Sequence, residues 1–67
     1  MLSKAMEKEL NEQINKELYS AYLYMAMAGY AASIGLKGFQ NWFSVQAKEE
    51  FTHADKFYNF IIERGDR

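Results

Sequence analysis

The sequence predicts an all-α protein: residues 1–67 form one antiparallel helical hairpin, and two hairpins dimerise into a four-helix bundle. The chain of 67 residues has no proline and only four glycines, so little interrupts a helix. Apolar residues recur at helical spacing over two long stretches that a short glycine-containing segment separates. The first stretch is apolar on nearly every side, which indicates more neighbours than one further helix can supply.

The first helix is predicted to begin after Ser3, whose hydroxyl suits an N-cap. Its apolar stripe recurs at three- and four-residue intervals as Leu10, Ile14, Leu18, Ala21, Met25, Ala28 and Ala32. The most apolar part, residues 18–32, has 15 residues. This is shorter than the ~20 residues that span a bilayer, so no membrane helix is expected.

The turn is predicted at Gly35 and Gly38. Gly35 suits the left-handed conformation just after a helix, and Gly38 is expected to close the turn. The second helix is predicted from about Phe39 to Arg64, with Gly65 ending it. Its inner stripe comprises Phe39, Trp42, Phe43, Gln46, Phe57, Phe60 and Ile61, and its outer face Ser44, Lys48, Thr52, Asp55, Asn59 and Glu63. A turn of about four residues makes the helices antiparallel.

Composition limits the function. Eight basic and nine acidic residues give a net charge of −1 without a basic face, so nucleic acid is not an expected partner. The absence of cysteine excludes disulfides, thiolate zinc sites and thiol catalysis, and it fits a reducing compartment. The first residues lack the apolar core of a signal peptide, so a cytoplasmic protein is expected. A domain this small needs further stabilisation, for which a metal or a partner chain remains.

Three ionisable residues interrupt the apolar stripes. Glu17 lies in the stripe of the first helix, whereas Glu50 and His53 lie in that of the second. Counted from the turn at ~1.5 Å per residue, they lie within about one helical turn of each other in depth. Buried carboxylates are costly unless they are paired or bind a metal, so these residues predict a cation site. A core or interface role for His53 is the alternative.

Glu50 and His53 form the pattern Glu-x-x-His. Di-iron sites in four-helix bundles take a Glu from each of two helices and a Glu-x-x-His from each of the other two. One chain carries half of this set, and two copies related by a two-fold axis would supply Glu17, Glu50 and His53 twice. Oxygen-rich ligation with imidazole favours iron or manganese, although zinc could also bind.

Two neighbouring residues are ambiguous. Tyr24 lies seven residues after Glu17 on the same face, where its hydroxyl could hydrogen-bond a ligand carboxylate. A packing role in the core or at an interface explains Tyr24 equally well. Glu49 lies ~100° from Glu50 around the helix, and this position is typical of a solvated charge.

Three segments resemble the non-haem ferritins of bacteria and archaea. NEQINKELYSAYLY (residues 11–24) resembles their first helix, and GLKGF with NWF (residues 35–43) resembles the turn into their second. QAKEEFTHA with KFY (residues 46–58) resembles the second helix. The resemblance covers essentially the whole chain and corresponds to the N-terminal half of a ferritin subunit.

This resemblance implies a ferroxidase centre. In the family, the positions that match Glu17 and His53 bind one iron, and the position of Glu50 bridges two irons. The position of Tyr24 lies beside this centre. The position of Glu49 contributes to a further iron site in some members.

The resemblance therefore implies Fe(II) binding and oxidation by oxygen or peroxide, with iron storage if a cage forms. We expect a symmetric di-iron site between two chains, with a homodimer as the smallest assembly. Phe51 and Thr52 follow Glu50 where bacterioferritins carry a haem-ligating methionine nearby, so haem is not expected. Two alternatives stay open: an assembly module without ferroxidase activity, and a fragment completed by a separate second-half chain.

Overall fold

The computed structural model describes residues 2–64 as two antiparallel helices. Helix α1 spans Lys4–Ser33, and helix α2 spans Lys37–Arg64. The hairpin is elongated, with extents of 49 × 16 × 12 Å. The predicted all-α hairpin is confirmed. Within residues 2–64, neither helix combines the length and the hydropathy that crossing a membrane requires.

Local hydrogen bonds define both ends of α1. The backbone N–H of Met6 donates to Ser3 Oγ at 3.1 Å, which confirms the predicted N-cap. At the other end, Gly35 has a φ of +80°. The N–H groups of Gly35 and Leu36 donate back to the carbonyls of the last turn, at 3.1 and 2.8 Å. A left-handed glycine with this pair of hydrogen bonds ends a helix, so Gly35 has the predicted role.

Helix α2 begins two residues before the predicted position. The carbonyl of Leu36 accepts a hydrogen bond from the N–H of Gln40 at 2.9 Å, so helical bonding starts at Leu36. Gly38 therefore lies in the first turn of α2, and the prediction that it closes the turn is wrong. The predicted end at Gly65 lies outside the described residues.

The Gly35→Ala variant should lower the free energy of unfolding by about 1–2 kcal/mol, because only glycine adopts the left-handed conformation without cost. A Cβ at position 35 would meet no heavy atom within 4 Å, so the backbone alone opposes it. Gly29 in α1 is the matched control, since its added Cβ also meets nothing within 4 Å. Gly29→Ala should stabilise the helix by about 0.5–1 kcal/mol. Denaturant unfolding followed by circular dichroism measures both, and equal losses would contradict the argument.

Small side chains form the contact between the helices. The buried residues are Ala21, Ala28, Ala31, Ala47, Ala54 and Ile61. In α2 they recur every seven residues, which is the spacing of a coiled-coil seam. Among residues 2–64, no large side chain is fully buried. The hairpin alone therefore has a narrow core.

The predicted apolar stripes are only partly buried. Five of their large residues are 40–60% exposed: Leu18, Met25, Phe39, Trp42 and Phe60. Conversely, Ser44 was expected on the outer face and is half-buried. The physical reason is the alanine seam, which sets the rotation of each helix and turns larger side chains away from the contact. These apolar residues are left for contacts beyond the hairpin.

Candidate metal centre

Glu17, Glu50 and His53 lie together near the middle of the hairpin. The Nδ1 atom of His53 lies 3.3 Å from a carboxylate oxygen of Glu17 and 3.1 Å from one of Glu50. One potential ligand atom from each residue lies within 4.8 Å of the other two. Glu17 belongs to α1 and the other two belong to adjacent turns of α2, so only the folded hairpin assembles this cluster.

The cluster is open to solvent on one side. The side chains of Glu17 and Glu50 are 16% and 20% exposed, whereas that of His53 is 50% exposed. In the single hairpin His53 is thus as exposed as Phe39 and Phe60, two residues of the predicted stripe on the same helix. The adjacent Ala54 occupies the contact with α1 and turns the imidazole outward. Two shielded carboxylates and one accessible imidazole form a site that an ion can enter directly.

Glu17 is held in its charged form. The amide of Gln13 donates a hydrogen bond to Glu17 Oε1 at 2.9 Å. This bond, followed by interactions with His53 and Glu50, holds the pKa of Glu17 below its usual value although partial burial opposes it. A deprotonated carboxylate is the form that binds a metal. Sequence reasoning missed Gln13; its position four residues before Glu17 was the available signal.

The Gln13→Ala variant should raise the pKa of Glu17, because it removes the largest of the lowering interactions. A lowered folded-state pKa contributes stability that is present above the unfolded-state pKa and is lost as the pH falls through the folded-state pKa. The variant should therefore be less stable than wild type at pH 7, and the difference should disappear in acid. Carboxyl-carbon NMR titration and denaturant unfolding measure these effects.

Gln46 offers the matched control for this substitution. It is a half-buried amide on α2, and no hydrogen bond joins it to Glu17 in the part of the chain that the structure describes. Gln46→Ala should leave the titration of Glu17 nearly unchanged. Equal shifts in both variants would show that Gln13 has no specific effect on Glu17.

Tyr24 lies in an aromatic group about two helical turns along α1 from Glu17. Its ring centroid is 6.2 Å from that of Trp42, edge to face, and 6.3 Å from that of Phe43. Across residues 2–64, its hydroxyl makes no hydrogen bond to the three clustered residues. The hairpin thus gives Tyr24 a packing contact, and its role at a metal remains a prediction.

Glu49 is not part of the cluster. Its side chain is exposed, and the group of potential ligands comprises only the other three residues within the described chain. This placement follows from the ~100° between consecutive helical residues. A role for Glu49 at a further iron site also remains a prediction.

Known proteins have sequences similar to this one. The model of the Ferritin-like domain family matches residues 7–67. The bacterial non-heme ferritin of Staphylococcus aureus strain USA300 is 49% identical over 65 residues, which make up 97% of this chain and 39% of that protein. The bacterial non-heme ferritin of Staphylococcus haemolyticus is 46% identical over 66 residues, or 98% of this chain and 40% of that protein.

Solved ferritin structures contain the same hairpin. A closed form of the Archaeoglobus fulgidus ferritin, engineered by site-directed mutagenesis, matches with a TM-score of 0.94 and 57% identity. The match covers 100% of this chain and 41% of the Archaeoglobus fulgidus chain. A humanized archaeal ferritin matches with a TM-score of 0.93. This chain therefore spans 39–41% of the length of these relatives. The family model, the identities and the shared hairpin place the chain in the ferritin family.

Proposed function

We propose that the chain binds iron and oxidises Fe(II) at a site that two copies build together, and that this activity serves iron storage. The cluster of Glu17, Glu50 and His53, with ligand atoms within 4.8 Å, carries the proposal. Membership of the ferritin family supports iron as the metal. Carboxylates with imidazole are also the ligand types that suit iron or manganese, and zinc can take the place of either metal.

A single hairpin offers half of such a site. Bundle di-iron proteins surround two metals with four carboxylates and two imidazoles, which is twice the set of this cluster. His53 is half-exposed, so a second chain can approach it. Exposed apolar side chains flank His53 along α2, including Trp42 at 52% and Phe60 at 40% exposure. Covering them with a second hairpin would complete the metal site and the apolar core together.

In this arrangement the two copies of Glu50 bridge the irons, and Glu17 and His53 are terminal ligands. Carboxylates attract Fe(III) more strongly than Fe(II), because the interaction grows with the charge of the ion. They therefore favour the loss of one electron from each iron. Two Fe(II) ions supply two electrons, which with two protons reduce one dioxygen to hydrogen peroxide.

Two further residues are assigned supporting roles. We propose that Tyr24 borders the metal pair on the side of the turn. It lies on the same side of α1 as Glu17, ~10 Å further along the helix. We assign Glu49, exposed next to Glu50, to a further iron ion beyond the pair. We also propose that the chain acts in the cytoplasm; its lack of cysteine is compatible with a reducing compartment.

Native mass spectrometry of the whole chain, with and without Fe(II) under anaerobic conditions, tests the proposal. The expected result is a mass of two chains, or a multiple of it, that gains two irons per pair. His53→Ala should keep the chain count and lose the iron. A dimer without iron would instead identify an assembly module without ferroxidase activity.

A second outcome would identify a complementing fragment. The observation that favours this alternative is that the chain spans 39–41% of the length of its relatives. In that case the chain alone would be a monomer. It would form a defined complex only after addition of a separate chain that corresponds to the rest of a ferritin subunit.

A further inference from the structure

We infer that Gln13 fixes Glu17 as a one-oxygen ligand, and that this amide thereby decides which carboxylate of the cluster is terminal and which one bridges two metals. The inference rests on the proposed metal site and assigns it a positioning residue. Gln13 acts through Glu17 and touches no metal itself. The two glutamates of the cluster differ in how their oxygens are held, and this difference carries the inference.

The two carboxylate oxygens of Glu17 have different partners. The side-chain amide of Gln13 donates to Oε1 at 2.9 Å, whereas Oε2 lies 3.3 Å from Nδ1 of His53. Gln13 lies one turn before Glu17 on α1, and His53 belongs to α2. The carboxylate of Glu17 is therefore held between the two helices, with Oε2 directed at the cluster and Oε1 at a residue of its own helix.

The atoms that face each other in the cluster have the spacing of ligands around one ion. The Nδ1 atom of His53 lies 3.3 Å from Glu17 Oε2 and 3.1 Å from Glu50 Oε1. Two ligand atoms at ~2.1 Å from an ion are ~3.0 Å apart at ~90° and ~3.4 Å apart at ~109°. Both distances lie in this range, so one oxygen of each glutamate can bind an ion with little movement. For Glu17 that oxygen is Oε2, which Gln13 leaves open.

Binding through both oxygens would break the hydrogen bond to Gln13. A carboxylate that chelates an ion turns both oxygens toward it, which would move Oε1 of Glu17 away from the amide nitrogen. Gln13 is half-buried and the Glu17 side chain is only 16% exposed, so little water is available to replace the lost bond. A hydrogen bond to a charged group changes an equilibrium constant by roughly 10–100-fold. One-oxygen binding keeps this bond and is therefore favoured for Glu17.

Glu50 is not held in this way. Gln46 lies four residues before Glu50, which is also the spacing between Gln13 and Glu17. Within residues 2–64, however, Gln46 donates no hydrogen bond to Glu50, whose side-chain contact is the one from Oε1 to His53. A bridging carboxylate binds a different metal through each oxygen, so both oxygens must be available. Glu50 meets this condition, and Glu17 does not as long as Gln13 holds its Oε1.

The alternative is that Gln13 contributes only packing. Methionine resembles glutamine in size and helix propensity but has no N–H donor, so Gln13→Met separates the two roles. Gln46→Met is the matched control, because it makes the same change at the same spacing from the other glutamate of the cluster. Circular dichroism should show the same helicity for both variants as for wild type. Gln13→Leu, which also lacks a donor, is the second variant should Gln13→Met fail to fold.

Infrared difference spectra of the whole chain, with and without Zn(II), test how Glu17 binds. Zn(II) is the probe because it accepts carboxylate and imidazole ligands and undergoes no oxidation. The antisymmetric and symmetric carboxylate stretches are furthest apart for one-oxygen binding and closest for chelation. Wild type and Gln46→Met should show a widely separated pair of bands that Glu17→Gln lacks. Gln13→Met should lose this pair and gain a narrowly separated one.

Competition with a Zn(II) chelator measures the affinity of the same three proteins. Gln13→Met should bind Zn(II) about 10–100-fold more weakly than wild type, which is the usual effect of removing a group that orients a metal ligand. Gln46→Met should bind Zn(II) within about twofold of wild type, as for substitutions away from a site. A weaker affinity together with the changed spectrum, in Gln13→Met alone, supports the inference.

The other outcomes separate this inference from the proposed function. If Gln13→Met keeps the wild-type bands, Gln13 does not set how Glu17 binds, and the inference is overturned while the metal site stands. Equal changes in Gln13→Met and Gln46→Met also overturn it, because they would reflect the loss of any nearby amide. Failure of the wild-type chain to bind Zn(II) would overturn the proposed metal site and the inference with it.

Discussion

The Glu50→Gln variant is expected to oxidise Fe(II) about 100-fold more slowly than wild type. The substitution keeps the size and helix propensity of the side chain, so the hairpin should fold normally. It removes the charge of the proposed bridging ligand, twice in each two-chain site. Replacing a group that only supports a ligand costs about 10–100-fold in affinity or activity. Loss of the ligand itself should reach at least the upper end of that range.

Stopped-flow absorbance of Fe(III), at two irons per pair of chains, measures the effect. Glu63→Gln is the matched control, because it makes the same chemical change at an exposed residue of the same helix outside the cluster. Its first two irons should be oxidised within about twofold of the wild-type rate, as for other surface substitutions. Wild-type rates in Glu50→Gln would exclude Glu50 as a ligand. An unchanged rate in His53→Ala would overturn the site as a whole.

The helix ends could be predicted because their signals are local. Ser3 caps α1 and Gly35 ends it, each at the expected position. Helix α2 begins earlier than predicted, because the carbonyl of Leu36 already accepts a helical hydrogen bond. Gly38 is tolerated in the first turn of α2, where backbone N–H groups lack helical partners in any case. The glycines therefore predicted the position of the turn, but not the residue at which α2 begins.

The rotation of the helices could not be predicted, because it depends on how both surfaces fit. Apolarity ranks Phe39 and Trp42 above Ala47 as core residues, yet the structure buries the alanine. Alanines spaced by seven residues allow the two backbones to approach closely, and the bulky side chains then lie beside the contact. Large apolar residues on a two-helix protein are thus evidence for further contacts.

The cluster was predictable from spacing and depth, whereas its surroundings were not. Glu17, Glu50 and His53 needed only helical periodicity and equal distance from the turn to be brought together. His53 is exposed because its neighbour Ala54 fills the contact between the two helices. The lowered pKa of Glu17 depends on the rotamer that brings the Gln13 amide to its carboxylate. Such features arise from side-chain packing, which the chain order does not specify.

The Phe39→Glu variant is expected to weaken association of the chains by about 100-fold or more. Phe39 is 60% exposed in the hairpin, so most of its ring is free to be buried by a second copy. Burial of a whole phenylalanine contributes about 1.5–3 kcal/mol, and each pair of chains contains two. An ionised carboxylate in the same place would also lose hydration without gaining a partner.

The same substitution should not weaken the helix itself. The first turn of α2 has no acidic residue, and a carboxylate there interacts favourably with the helix dipole. A loss of helicity at low concentration would therefore report lost association. Val45→Glu is the matched control: Val45 is 43% exposed on the same helix but lies about 80° around the helix from His53. Analytical ultracentrifugation should show a monomer for Phe39→Glu and an assembly for Val45→Glu. Equal association of the two variants would mean that copies of this chain do not pair through the side of α2 that carries Phe39.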